Sequence, residues 1–159
     1  MATIDLHHPS TPRYPMTARP SGPIEVVCGL IEHEGTVLVC QRPPGKHLAG
    51  LWEFPGGKVE SKESKEAALI RELAEELHIQ VSVTGALPAV DWADDQVHIR
   101  LHPFLCQLES GTPHPAEHSE IRWCSPPDLP HLAWAEADIP IYLEWLSHID
   151  CNKSHTPPC

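Results

Sequence analysis

Gly57, Glu63, Arg71, Glu72, Glu75 and Glu76 stand at set separations within residues 57–79, and this stretch constrains the chain more than any other. Ser64 is a good helix N-cap, and Lys65 to Leu77 holds no glycine or proline and is rich in Ala, Leu, Glu and Lys. A helix is therefore predicted there. Leu69, Leu73 and Leu77 recur every four residues, with Ala67, Ile70 and Ala74 widening the stripe, so one face is expected to be buried. Glu72, Glu75 and Glu76 lie at i, i+3 and i+4, which gathers them on another face. Three carboxylates so close repel one another. A hard divalent cation resolves the conflict, because Mg2+ prefers carboxylate oxygens and bridges to phosphates. Alone, Glu-x-x-Glu-Glu reads as an ordinary acidic surface helix; the surrounding pattern turns the reading toward a cation site.

The segment before the helix points the same way. Trp52 to Lys58 reads as a short strand ending in a Pro-Gly-Gly turn that feeds a loop. Two glycines let backbone approach a ligand closely and let a carbonyl face a metal.

Ile24 to Ile31 and Thr36 to Gln41 are apolar, β-branched-rich runs separated by His33-Glu34-Gly35, a hairpin pattern. Further strands are expected at Ile79 to Val83, Val97 to Leu108 and Ile121 to Cys124, with Pro103 placing the second at an edge or bulge. Ile141 to Ile149 reads as a closing amphipathic helix. The expected fold is a single α/β or α+β domain over 24–149, with helices flanking a mixed sheet. Residues 1–23, with five prolines, read as a disordered leader, and 150–159 as a polar tail.

A length of 159 residues suits one domain, and a net charge of −11 argues against binding a nucleic-acid polymer through its backbone. It does not argue against a nucleotide, since a metal can supply the missing positive charge. No run has the length of a membrane span and no apolar signal region opens the chain, so a cytoplasmic protein is expected. The six cysteines form no C-x-x-C pair, and Cys28, Cys40 and Cys106 sit in apolar runs, which reads as buried free thiols. Cys151, His155 and Cys159 lack standard zinc spacing.

Residues 57–79 resemble the Nudix box, G-x5-E-x7-R-E-U-x-E-E-x-G-U with U aliphatic, the diphosphate-hydrolysing signature of MutT-like enzymes. One position departs: His78 stands where the family has its second glycine, a helix C-cap in the left-handed region. The resemblance covers roughly residues 24–149 and implies an α/β/α sandwich. It implies Mg2+, with Mn2+ as an alternative, held by the Gly56 carbonyl, Glu72, Glu75, Glu76 and a distal Glu117. Glu63 would orient a catalytic glutamate or water, Arg71 would hold the box glutamates, and Glu72 or Glu117 would be the base. Arg42 and His47 would lie near the phosphate or sugar, Lys58 near the phosphates, and Phe54 against the base. Asp138, in Ala-Glu-Ala-Asp-Ile-Pro, matches the segment that reads the base edge, where MutT has asparagine. An ionised aspartate only accepts hydrogen bonds, and Asp138 also reads as the N-cap of the last helix.

The implied activity is hydrolysis of a nucleoside triphosphate to monophosphate and diphosphate, with 8-oxo-dGTP the first substrate and a role in nucleotide-pool sanitisation. CTP or 5-methyl-dCTP is the alternative, and a catalytically silent nucleotide sensor a third reading. A monomer is expected, with a homodimer as the alternative.

Overall fold

The computed structural model describes residues 22–154. Strand β1 (Ile24–His33) turns into β2 (Thr36–Gln41) through Glu34 and Gly35, both at positive φ. A two-residue turn of this hand matches the twist of the strands it joins. Two short strands follow, β3 (Trp52–Glu53) and β4 (Gly56–Lys58), then helix α1 (Lys65–Leu77) and β5 (Gln80–Ala86). Strands β6 (Val90–Ala93), β7 (His98–Ser110) and β8 (Glu120–Cys124) precede two 3-10 turns and helix α2 (Ile139–Lys153).

The sheet runs β3-β2-β1-β7-β5, with β4 pairing β1, β6 pairing β7 and β8 pairing β2. Its centre is the parallel pair β1 and β7, in register from Ile24 opposite Ile99 to Glu32 opposite Gln107. Successive side chains of a strand point to opposite faces. Val27 and Ile31 thus pack with Leu69, Leu73 and Leu77 of α1, while Cys28 and Leu30 pack with Ile141, Tyr142 and Trp145 of α2. The result is the expected α/β/α sandwich.

Helix α1 has the predicted limits. Ser64 Oγ accepts the Ala67 N–H at 3.1 Å, and His78 closes the helix in the left-handed region at φ 59°, ψ 36°. Histidine enters that region more readily than most residues, so the end survives without glycine.

Four expectations give way. Gly56 and Gly57 form no turn; they lie in β4, opposite Cys28 and Val27. Their value is absence of bulk: a Cβ on Gly56 would sit 1.9 Å from the Val27 carbonyl oxygen, and one on Gly57 2.4 Å from Glu72 Cδ. Pro103 occupies neither an edge nor a bulge but the middle of central strand β7, opposite Cys28. Its carbonyl accepts the Leu87 N–H at 3.0 Å. A residue's amide and carbonyl face the same neighbouring strand, so the proline nitrogen faces the gap between β5 and β6, where no ladder bond is lost. Strand β6 has no counterpart in the sequence reading, because Asp91 and Asp94-Asp95 mask a short pairing run. Helix α2 runs four residues past the expected Ile149, so the start of the expected polar tail is helical. Residues 1–21 and 155–159, which hold most of the leader and the end of the tail, lie outside the described residues.

Cys28, Cys40, Cys106 and Cys124 are buried thiols, as expected. Burial pushes Cys106 up to about 12 and raises the others. Among the described residues, no helix is long and apolar enough to cross a membrane.

Gly56→Ala is expected to destabilise the fold by about 3 kcal/mol or more, since the added methyl meets backbone that cannot yield. Urea unfolding checks it, as a lowered midpoint at unchanged slope.

Candidate active site

A cavity of ≈ 880 Å³ opens beside β1 and β4. Its wall is formed by Glu72, Glu76, Gly56, Gly57 and Lys58, by Asp138, Ala137, Trp92 and Ile99, and by Arg42 and His47. A second cavity, ≈ 710 Å³, lies between the β1–β2 turn and α2. None of the candidate catalytic, metal or substrate residues lines it.

Arg71 organises the carboxylates. Its Nε and Nη2 donate to the two oxygens of Glu63 at 2.7 and 2.8 Å, a bidentate pair. Nη1 donates to Glu72 Oε1 at 2.9 Å and to Glu75 Oε2 at 3.4 Å, while Nη2 also reaches the Lys58 carbonyl at 3.2 Å. The guanidinium holds Glu63 down at about 2, and Glu63 accepts the Glu60 N–H as well. Glu63 therefore reaches Glu72 only through Arg71.

Helix spacing divides the three glutamates. Glu72 is nearly enclosed and rests against the bare Cα of Gly57, with Glu76 beside it on the cavity wall. Glu75 is 62 % exposed, leans back to Arg71 and is absent from the cavity wall. Burial, then the charges of Glu72 and Glu117, push Glu76 up to about 7. Glu117 itself is exposed on the loop before β8.

Such a carboxylate pair fits a hard divalent cation: the donors are oxygens, Arg71 reaches only Glu72 of the two, and burial discourages the ionised form of Glu76. Among the described residues, no three acidic, imidazole or thiol side chains converge into a ready-made cage. Mg2+ tolerates this, since it keeps several waters and takes oxygens from substrate phosphates.

Asp138, also on the cavity wall, is 5 % exposed, and its Oδ1 accepts the Phe54 N–H at 2.9 Å. Burial, then the charge of Glu53, raises its carboxyl well above the usual range. Burial thus discourages the ionised form that the sequence suggests for Asp138, while the Phe54 N–H favours it. Its N-cap role fails: Asp138 makes no side-chain cap bond, and its backbone is already helical. Phe54 is 3 % exposed, and its ring packs against Trp134 at 5.0 Å between centroids with the planes tilted by 40°. Arg42 donates to Glu53 Oε2 at 2.8 Å and to the His47 carbonyl at 2.6 Å, and the His47 ring pairs with Asp94 at 2.7 Å. Trp92 donates its indole N–H to Glu136 Oε2 at 3.1 Å.

Glu53, Trp92 and His118 had drawn no notice in the sequence. Glu53 carried a signal, a lone carboxylate in the apolar strand Trp-Glu-Phe. Trp92 carried none, because its strand was hidden.

The NUDIX domain model matches residues 23–146. The chain belongs to the Nudix family. Among its relatives, the CTP pyrophosphohydrolase of Escherichia coli is 42% identical over 74% of this chain and 87% of that protein. The 8-oxo-dGTP diphosphatase of E. coli is 30% identical over 64% of this chain and 80% of its own length. In three dimensions the Nudix chain is similar to the E. coli ORF135 protein, with TM-score 0.68 and 40% identity over 78% of this chain and 89% of that one. A MutT Nudix hydrolase from Burkholderia pseudomallei gives TM-score 0.70 at 30% identity, over 77% and 98%.

Glu76 makes stability depend on pH in a direction that can be worked out. Its carboxyl titrates near 4.5 when unfolded and at about 7 in the fold. Between those values the folded chain holds the extra proton, so the metal-free protein loses this contribution as pH rises toward 7. Glu63 acts in a lower window: its stabilisation is present above 4.5 and is lost as pH falls toward 2. Melting temperatures across pH with chelator and with millimolar Mg2+ should show the loss between 4.5 and 7 only without Mg2+. Glu76→Gln should abolish that difference.

Proposed function

We propose that the protein hydrolyses a nucleoside triphosphate to the monophosphate and diphosphate, using the cavity for phosphates and base. The observation that carries the reading is that one cavity is lined both by a carboxylate pair in need of a cation and by Asp138, a buried carboxyl whose ionisation burial discourages. The family relation supports a divalent metal, and the oxygen-only donor set favours Mg2+, with Mn2+ as the alternative. Gly56, Glu72, Glu76 and Glu117 would hold it, with Glu75 as a further ligand once it turns from Arg71. Bound there, the cation would neutralise the phosphates and lower the pKa of the attacking water.

The protein's own groups do the rest. Lys58 adds positive charge near the phosphates. Arg42, fixed by Glu53 and the His47 carbonyl, offers a guanidinium toward the phosphate or sugar. The His47 ring, already paired with Asp94, shapes the wall. Glu72, restrained by Arg71, or the exposed Glu117 takes the proton of the attacking water. That water adds to phosphorus, the phosphoanhydride bond breaks, and diphosphate leaves.

A neutral Asp138 with Oδ1 committed to Phe54 can donate through Oδ2, as the MutT asparagine does through its amide. It suits 8-oxoguanine, with an oxo group to receive a hydrogen bond and an N7–H to give one. A cytosine offers N3 and the N4 amine to the same carboxyl, and the 42% identity to a CTP pyrophosphohydrolase favours this second reading. We propose 8-oxo-dGTP as first substrate, acted on in the cytoplasm by a monomer. A monomer accords with the few large hydrophobic side chains exposed among the described residues.

Diphosphate release from 8-oxo-dGTP, dGTP, dCTP, 5-methyl-dCTP and CTP, compared by kcat/KM with Mg2+, tests the reading. Preference for 8-oxo-dGTP supports the first substrate, preference for the cytosine set supports the second, and no turnover overturns both. Asp138→Ala is expected to lose about 10- to 100-fold in kcat/KM on the preferred substrate, while Asp138→Asn, which keeps donor and acceptor, stays within about tenfold.

A further inference from the structure

His118 is buried at the back of the site, with its side chain 6 % exposed. Its Nδ1 has no hydrogen-bond partner, and its Nε2 lies 3.6 Å from Glu53 Oε1, in ion-pair range but longer than a hydrogen bond. A buried ring without a proper partner costs about 1–3 kcal/mol, and an apolar ring of the same shape would avoid that penalty. Such groups call for an explanation in function rather than in packing.

The surroundings supply one. The other oxygen of Glu53 is taken by Arg42 at 2.8 Å, so one carboxylate touches both His118 and the guanidinium on the cavity wall. His118 also acts on Glu76, favouring its ionised form. Its neighbour in sequence, Glu117, is exposed and acts on Glu76 as well. The loop bearing both is tied down at its end, where the Ser119 N–H donates to the Gln41 carbonyl at 3.0 Å.

We propose that His118 is a positioning residue: its buried ring, beside Glu53 and Glu76, seats the Glu117 loop and keeps the Arg42–Glu53 pair in register with the Glu72–Glu76 pair. The ring touches neither substrate nor reacting atoms; it acts through the carboxylates. Partners of this kind, behind the ligands, govern metal affinity as well as rate. The inference rests on the cation-site reading of the carboxylate pair, and is independent of which nucleotide is the substrate.

The test uses the full chain with His118→Phe, His118→Gln and His118→Asn. Melting temperature, Mg2+ affinity by calorimetry on chelator-treated protein, and kcat and KM are measured separately. His118→Phe keeps the packing and loses both nitrogens. It is expected to melt no lower than the parent, to bind Mg2+ about tenfold or more weakly, and to lose kcat more than it raises KM. His118→Gln, whose amide reaches toward the place of Nε2, should recover most of the affinity, and the shorter His118→Asn should not. Mg2+ affinity and kcat within about twofold of the parent in His118→Phe overturn the proposal and leave the ring as filler. Should His118→Phe fail to fold, an Asn variant equal to or better than the Gln variant overturns it. A parent protein that binds Mg2+ but turns over no nucleotide contradicts the proposed activity, and the affinity series then decides the role of His118 by itself.

Discussion

The guanidinium of Arg71 is the fixed point of this site. One planar group receives both oxygens of Glu63, one of Glu72, one of Glu75 and the carbonyl of Lys58. It thereby joins the loop after β4 to the face of α1, and holds Glu72 still. Lysine could not do this, since a single ammonium lacks the fork that meets several acceptors in one plane. Glu76 has no hydrogen bond to Arg71, and there burial and the charge of Glu72 outweigh the opposing effect of His118.

Close approach is the second constraint. Helix α1 lies near enough to β4 that the Glu72 carboxyl occupies the space where Gly57 would carry a side chain, and β4 lies near enough to β1 that Gly56 can carry none either. The parallel pair β1 and β7 provides the rigid floor, buried on both faces as such pairs are. From this floor the carboxylates reach the cavity from one layer, and Asp138 reaches it from the other.

Local features were legible in the sequence because their causes are local. Ser64, the leucine stripe and the Arg71–glutamate spacing depend on helix geometry alone, and α1 appears where they put it. The left-handed His78 follows from chain direction at a helix end. What the sequence hid depends on partners distant along the chain. Pro103 looks like an edge residue until Leu87 and the gap between β5 and β6 are seen beside it. Asp138 looks like an ordinary loop carboxylate until its burial is seen, with Oδ1 on the Phe54 amide 84 residues away in sequence. Glu75 seemed equivalent to its two neighbours, yet about 100° of helix rotation separates it from Glu76, and it leans back to Arg71. His118 showed only as a histidine beside a candidate glutamate; its burial is a tertiary fact.

The central claim is that Arg71 preorganises a carboxylate site for a divalent cation. Calorimetric titration of Mg2+ into chelator-treated parent protein and Arg71→Lys, above the Glu76 titration at about 7, tests it most directly. Saturable binding by the parent, weakened about tenfold or more in a folded Arg71→Lys, is predicted. Equal affinities in the two proteins, or no saturable binding by the parent, would contradict it.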